Sequence, residues 1–277
     1  MKFRLALGAV LVVLSVVAAT GVASAAPSKS LTCAGGSASG DPSTWTFTPI
    51  TSGNYSSITV TGVCQVQAGA VINVSGNINV APGAVLDAQS APSTITVGHN
   101  VTAGAGSFLG LGCQPDFTIG VFGAGVPCAA DPTGYTAITI KGNVTATDAN
   151  TVLLRGAVES GYGGLTVGGN VTLTGGVSEN PWSIKGATIG GNLTIDGVTA
   201  EFLGVQFNTI GKNVTLTNIT VNDVDSPPPG VTVVSNNVGN NLNCSGNAPF
   251  VGDGFAGLVN HVGHKATGQC AAISVPA

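Results

Sequence analysis

The stretch TIGGNLTIDG, residues 188–197, decides the fold. Two short alternations of polar and apolar side chains, T-I and L-T-I-D, are separated by two glycines and an asparagine. Successive side chains of a strand point to opposite faces, so Ile189, Leu193 and Ile195 share one face while Thr188 and Thr194 take the other. The same order returns twenty-one residues later as TIGKNVTLTN, residues 209–218. A chain that rewrites one strand-corner-strand unit at a near-constant interval is building a stack.

Laid along the chain, the unit starts at Asn73, Thr96, Thr118, Thr139, Thr166, Thr188, Thr209 and Asn237, in steps of 23, 22, 21, 27, 22, 21 and 28. A period near 22 with two longer steps is the mark of a solenoid in which each repeat is one coil and insertions leave as loops. The second position is Val74, Val97, Ile119, Ile140, Val167, Ile189, Ile210 and Val238, apolar throughout. The sixth and eighth positions are core as well, and only the Thr118 unit breaks the pattern. The seventh is mostly Thr or Asn and faces water. At the fifth stand the structural corner asparagines Asn77, Asn100, Asn143, Asn170, Asn192, Asn213 and Asn241. Glycine beside them permits positive φ at a corner, and Asn tolerates it. Amides stacked at about 4.8 Å can also hydrogen-bond from coil to coil. Several of these asparagines form N-x-T sequons, a glycosylation signal in a secreted eukaryotic protein, although corner and strand chemistry already call for the same residues.

Composition agrees with a stack of apolar strands. Charged residues make up 7% of the chain against a usual ~25%, and 42 of the 277 residues are Gly. Hydrophobic content is 43% with only 5% aromatic, which leaves Val, Ile, Leu and Ala to build the core. Residues 1–25 read as a signal peptide: Lys2 and Arg4 form a basic start, residues 5–22 an apolar run, and Ala23, Ser24 and Ala25 an A-x-A cleavage site. Cleavage there leaves six basic against twelve acidic residues, a net charge of −6, and no further membrane span. That balance argues against nucleic acid as a partner.

Six cysteines in an exported chain are expected to be oxidised. Six allow fifteen pairings; joining sequence neighbours gives Cys33 with Cys64, Cys113 with Cys128, and Cys244 with Cys270. No C-x-x-C pair or finger-spaced His supports zinc. The expected architecture is one all-β parallel β-helix, a solenoid of about 8–9 coils of roughly 22 residues with disulfide-stapled ends. Residues 26–70 form an N-terminal segment and cap, 71–246 the repeats, and 247–277 a C-terminal cap and tail.

The G-G-N-L-T-I coils, the stretch NLNCSGN (residues 241–247) and the terminal KATGQC (residues 265–270) resemble secreted actinobacterial G-x-N repeat proteins of parallel β-helix type. The resemblance covers roughly residues 70–270. It implies a right-handed helix exported from a high-GC Gram-positive cell, and it carries no catalytic residue to transfer.

Chemistry is sparse. Glu179 and Glu201 each lie nine residues after a corner Asn, with Asp223 ten after the next. Stacked, they would form a carboxylate ladder fit for Ca²⁺ or for a glycosidase pair, with Trp182 beside it to stack on a sugar; acids on exposed turns are the plain alternative. Thr145, Thr147, Thr172, Thr174, Thr194, Thr215 and Thr217 would form a flat outward lattice of hydroxyl and methyl groups of the sort that binds ice, although β-branched Thr simply suits an exposed strand. His99 occupies a variable corner position, and His261 and His264 lie in the expected tail. The repeat accounts for nearly every distinctive residue without leaving a catalytic set over. The reading is therefore a non-catalytic secreted structural or surface-interaction protein of the cell envelope or extracellular matrix, with a polysaccharide or another envelope protein as partner and no cofactor. The alternatives are a polysaccharide-binding or polysaccharide-degrading β-helix enzyme and an ice-binding protein.

Overall fold

The computed structural model describes residues 28–39, 44–115, 118–119, 122–123, 126–158, 162–222, 230–252 and 258–277, with backbone alone for 118–119 and 122–123. The signal-peptide assignment falls on residues outside this set, and so does Asp223. The opening decapeptide behaves as its alternation requires. Ile189, Leu193 and Ile195 are buried, Thr188 is exposed and Thr194 is half-buried. Strand Thr188–Ile189 pairs in parallel with Leu165–Val167 on one side and Thr209–Ile210 on the other. After the corner, Leu193–Asp196 pairs in parallel with Val171–Thr174 and Val214–Thr217, which sets Leu173, Ile195 and Leu216 side by side.

These two ladders merge through the long strand Gly53–Val60 into a sheet of 19 strands. A second sheet of nine strands runs from Thr48–Ile50 to Val251–Gly252 and forms a third face. The described residues contain no α-helix; the helical segment named among them is the 3₁₀ turn Ala271–Ile273. The protein is all-β, and its large parallel sheets are consistent with a β-helix or solenoid. One continuous core fills the space between the faces, with Val144, Leu173, Leu193 and Leu216 all at 0% exposure. Three disulfides join Cys33 to Cys64, Cys113 to Cys128 and Cys244 to Cys270, as neighbour pairing expects. The first and last tie strands near the two ends of the stack.

Three expectations need correction. The Thr118 unit is not a coil: Thr96 pairs directly with Thr139, while residues 118–119 and 122–123 pair antiparallel with each other inside the segment closed by Cys113–Cys128. Its T-I-x-x-F-G composition imitates the repeat, yet it finds its partner within itself. Second, the ladders run past residue 246. His261 pairs with Asn237, Thr267 with Asn243, and Val275 with His261, so the expected tail continues the stack. At the other end Lys29–Cys33 and Gly53–Val60 lie under the Asn73 unit in the same way. Third, the corner glycines do not serve positive φ. Neither Gly190, Gly191 and Gly211 nor the corner asparagines adopt it. They are glycine because coils pack backbone to backbone there: a Cβ on Gly190 would lie 2.6 Å from the Gly168 carbonyl oxygen, and one on Gly211 2.6 Å from that of Gly190. The left-handed conformation is needed at the next turn, where Asp148, Gly175, Gly197, Asn218 and Gly246 have φ of 50, 66, 68, 53 and 68°, a set of residue types suited to it.

Candidate functional site

The corner asparagines form a continuous ladder. The Oδ1 of Asn77 accepts the backbone N–H of Asn100 at 2.9 Å, and the same bond recurs from Asn143 to Asn100, Asn170 to Asn143, Asn192 to Asn170, Asn213 to Asn192 and Asn241 to Asn213 at 2.8–3.2 Å. Their amides are used in holding coils together. A second ladder, missed in the sequence, is wholly buried: Asn208, Asn236 and Asn260 are 0, 1 and 0% exposed. Asn208 and Asn236 stand immediately before the first strand of their coils and Asn260 opens the corresponding strand Asn260–Val262, and that recurrence was the available signal.

The outward Thr row is in direct register: Thr102, Thr145, Thr172, Thr194 and Thr215 are successive partners. In the neighbouring row Asp196 stands between Thr174 and Thr217, while Thr147 pairs with Thr174. Asp196 Oδ1 accepts Thr217 Oγ1–H at 2.6 Å and Asn218 Nδ2–H at 3.0 Å. The Thr217 bond, then the Asn218 bond, holds its carboxyl below the ordinary 3.8.

The acid ladder fares differently. Glu179 and Glu201 are both exposed and each follows by two residues the bridged pair Val177 and Thr199. Thr199 pairs onward with Thr220, so the place two residues on belongs to Asn222, one short of Asp223. Among the described residues no group of three His, Cys, Asp or Glu side chains is placed to hold a metal. Trp182 does not face a ligand. It is 0% exposed, and its Nε1–H donates to the Asn150 carbonyl oxygen at 2.8 Å. It sits one residue off the outward register, and a shift of one residue on a strand exchanges faces.

The outward neighbour is Pro181, and it leads to the site. A groove of about 550 Å³ lies on the third face, walled by Trp45, Phe47, Phe108 and Pro181. Trp45 and Phe47 meet at 6.2 Å with their planes tilted by 52°. Phe108 lies flat because Gly110 follows it by two: a Cβ on Gly110 would stand 2.8 Å from the ring. The same F-x-G device recurs at Phe202 with Gly204 and Phe250 with Gly252, extending half-buried rings along the face. Polar residues in the groove are Gln65, Asp87, Gln89, Ser90, Asn150, Thr151 and Asn180. Asp87 Oδ1 accepts the backbone N–H of Gln89 and of Ser90, each at 3.0 Å, and its Oδ2 accepts Gln65 Nε2–H at 2.7 Å. Arg155 Nη1–H donates to Gln89 Oε1 at 3.2 Å, which leaves the Gln89 amide N–H groups as the donor end. Burial lowers Arg155 to about 10, so it remains charged at neutral pH. Asn180 Nδ2–H donates to Asn150 Oδ1 at 3.0 Å. Flat rings beside fixed amides can stack on a sugar ring and hydrogen-bond its hydroxyls. Sequence reasoning missed these residues, although the F-x-G triplets at Phe108, Phe202 and Phe250 were visible.

Comparison with protein-family models, with curated proteins and with solved structures gave no match. Among the described residues no helix is long and apolar enough to cross a membrane.

Proposed function

We propose that this protein is a secreted, non-catalytic surface-interaction protein of the cell envelope or extracellular matrix that binds a polysaccharide through the groove of its third face. The observation that carries the reading is the row of rings, Trp45, Phe47 and Phe108, set beside amides whose orientation is fixed by neighbours. The one carboxylate in the groove, Asp87, has its oxygens engaged by three N–H donors, which suits shaping the wall better than proton transfer. Three disulfides support an oxidising compartment. The proposal includes actinobacterial origin, on the repeat resemblance, and right-handed winding, on the strong preference of parallel crossovers. The hydrogen-bonded corner positions, eight from Gly76 to His264, support eight regular coils with partial ones at the ends.

Retention of the secreted chain on a panel of insoluble neutral polysaccharides tests the reading. At least one should retain it, Trp45→Ala or Phe108→Ala should weaken retention about tenfold or more, as truncating a stacking ring does, and no new reducing ends should form. Retention on none, or retention indifferent to both variants, would refute it, and release of sugar would make it an enzyme. A second reading, ice binding, rests on the five Thr in register; thermal hysteresis abolished by Thr172→Lys is its required result.

A further inference from the structure

The Gly-x-Asn corner has a property that the groove does not use. One backbone position per coil is chained along it, N–H to carbonyl: His99 to Gly76, Gly142 to His99, Gly169 to Gly142, Gly191 to Gly169, Lys212 to Gly191, Asn240 to Lys212 and His264 to Asn240, at 2.8–3.2 Å. From His99 to His264 this is six steps, about 29 Å at ~4.8 Å per step. His99, Lys212 and His264 are exposed on this row, and so are Lys141, just before Gly142, and Lys265, just after His264. Three of the six Lys and Arg beyond residue 25 therefore sit on one edge. The acids of the described residues sit elsewhere. Among the described residues Asp87 is on the third face, Asp131 in the turn that follows Cys128, and Asp148, Glu179, Asp196 and Glu201 at or beyond the turn that ends the second strand. Among the described residues this edge thus carries Lys and His and no acid, a positive line in a chain with twice as many acidic as basic residues after position 25.

Two details suit that line to a polymer. Between Lys141 and Lys212 the ridge has exposed or half-buried glycines, Gly142, Gly168, Gly169 and Gly190, beside the corner asparagines, so an extended chain can approach the backbone closely at those four positions. At one end a depression of about 420 Å³ is lined by Asn54, Asn73, Ser75, Thr96, His99 and Lys141, a set of hydroxyl, amide and cationic groups able to seat one unit of the chain. Lys141 to Lys212 spans three steps and Lys212 to Lys265 two, about 14 and 10 Å, too far apart for one compact anion.

We infer that this corner is a second binding site, for a linear anionic polymer whose repeating charge is a uronate carboxylate or a phosphodiester. Calorimetric titration of the secreted chain at low salt with polygalacturonate, with a glycerol-phosphate polymer and with neutral dextran separates the sources. One or both polyanions should bind, with affinity falling as salt rises, and the one that binds names the anion. The triple variant Lys141→Gln, Lys212→Gln, Lys265→Gln should weaken binding by about two orders of magnitude, at roughly fivefold for each Lys near an anionic surface. Its melting temperature should stay that of the parent, because all three side chains are exposed. Trp45→Ala should leave polyanion binding intact, which keeps this site distinct from the groove. Binding unchanged in the triple variant, binding lost in Trp45→Ala, or no binding of either polyanion at low salt overturns the inference. Self-association at low salt that the triple variant abolishes overturns it too, in favour of a second copy offering its acidic turns.

Discussion

Asn236→Ala should be among the most damaging single substitutions in this chain, and Asn192→Ala one of the milder ones, although both remove an amide from an asparagine ladder. Asn236 is 1% exposed. Its Oδ1 accepts Asn208 N–H at 3.1 Å and Asn208 Nδ2–H at 2.9 Å, and its Nδ2–H groups donate to the Val205 carbonyl at 2.8 Å and to Asn260 Oδ1 at 2.8 Å. Truncation strands two donors on Asn208, which is itself 0% exposed. Each buried unsatisfied group costs about 1–3 kcal/mol, so the loss is roughly 3–5 kcal/mol. Asn192 makes comparable bonds, accepting Asn213 N–H at 3.1 Å and Nδ2–H at 3.0 Å. It is half-buried on an outer corner where water can replace its oxygen, which limits the loss to about 1 kcal/mol.

Guanidinium titration followed by circular dichroism measures the difference as a shift in midpoint at constant slope. Stacked repeats need not unfold as one, so amide exchange in the Asn208 and Asn192 coils gives the local value. Asn236→Leu separates hydrogen bonding from volume: it fills the space and still leaves the Asn208 N–H without an acceptor. Equal midpoint losses for Asn236→Ala and Asn192→Ala, or wild-type stability in Asn236→Leu, would refute the reasoning.

Gly211→Ala should destabilise by about 1–3 kcal/mol, as overpacking does, because its Cβ meets the Gly190 carbonyl oxygen at 2.6 Å; a thermal melt indistinguishable from the parent would contradict the backbone-packing account. Asp196 is held below 3.8 by Thr217 and Asn218, so its contribution to stability is full above that value and is lost as pH falls through the lowered folded pKa. Carboxyl NMR should show that midpoint, and Asp196→Asn should remove this part of the acid dependence. All six thiols should be blocked in denaturant, and Cys113→Ser with Cys128→Ser, which opens a closure with a sequence separation of 15, should lose at most ~3 kcal/mol by the chain-entropy estimate, read as faster proteolysis within residues 113–128.

The regular coils were legible because each strand repeats one constraint. Ile189, Val167 and Ile210 must all point inward, and alternation then places Thr188, Thr166 and Thr209 outward. Features that depend on partners were less legible. Thr118 has the residues of a coil but pairs with its own hairpin, a choice made by the Cys113–Cys128 closure and not by local composition. The corner glycines were recognised as obligatory for the wrong reason, since a positive φ and a carbonyl in van der Waals contact leave the same letter in a sequence. Trp182 was misread by one residue, because the third strand of each coil lacks the glycine and asparagine that fix the register of the other two. In the acid ladder Glu179 and Glu201 take matching places after the bridged Val177 and Thr199, the next such place is Asn222, and Asp223 lies outside the described residues.

The third face gains its character from what the core leaves over. A core of Val, Ile, Leu and Ala has little use for large rings, and Trp182 is the largest side chain fully buried in it. In a solenoid each outward position is exempt from packing against another part of the same coil, so its side chain is free to serve a surface. Rings placed outward must still cover apolar area, and Phe108, Phe202 and Phe250 do so by lying over Gly110, Gly204 and Gly252 instead of standing into water. That posture presents one ring face to the sheet and the other to solvent, which is the arrangement a stacking ligand needs. The Gly-x-Asn corner has the opposite economy: its glycines carry no side chain, its asparagines are spent on the ladder between coils, and its exposed side chains include Lys and His. On the two proposed readings the ring-stacking surface and the sparse cationic edge would meet different parts of a mixed polysaccharide matrix, with the regular stack between them holding the two at fixed separation.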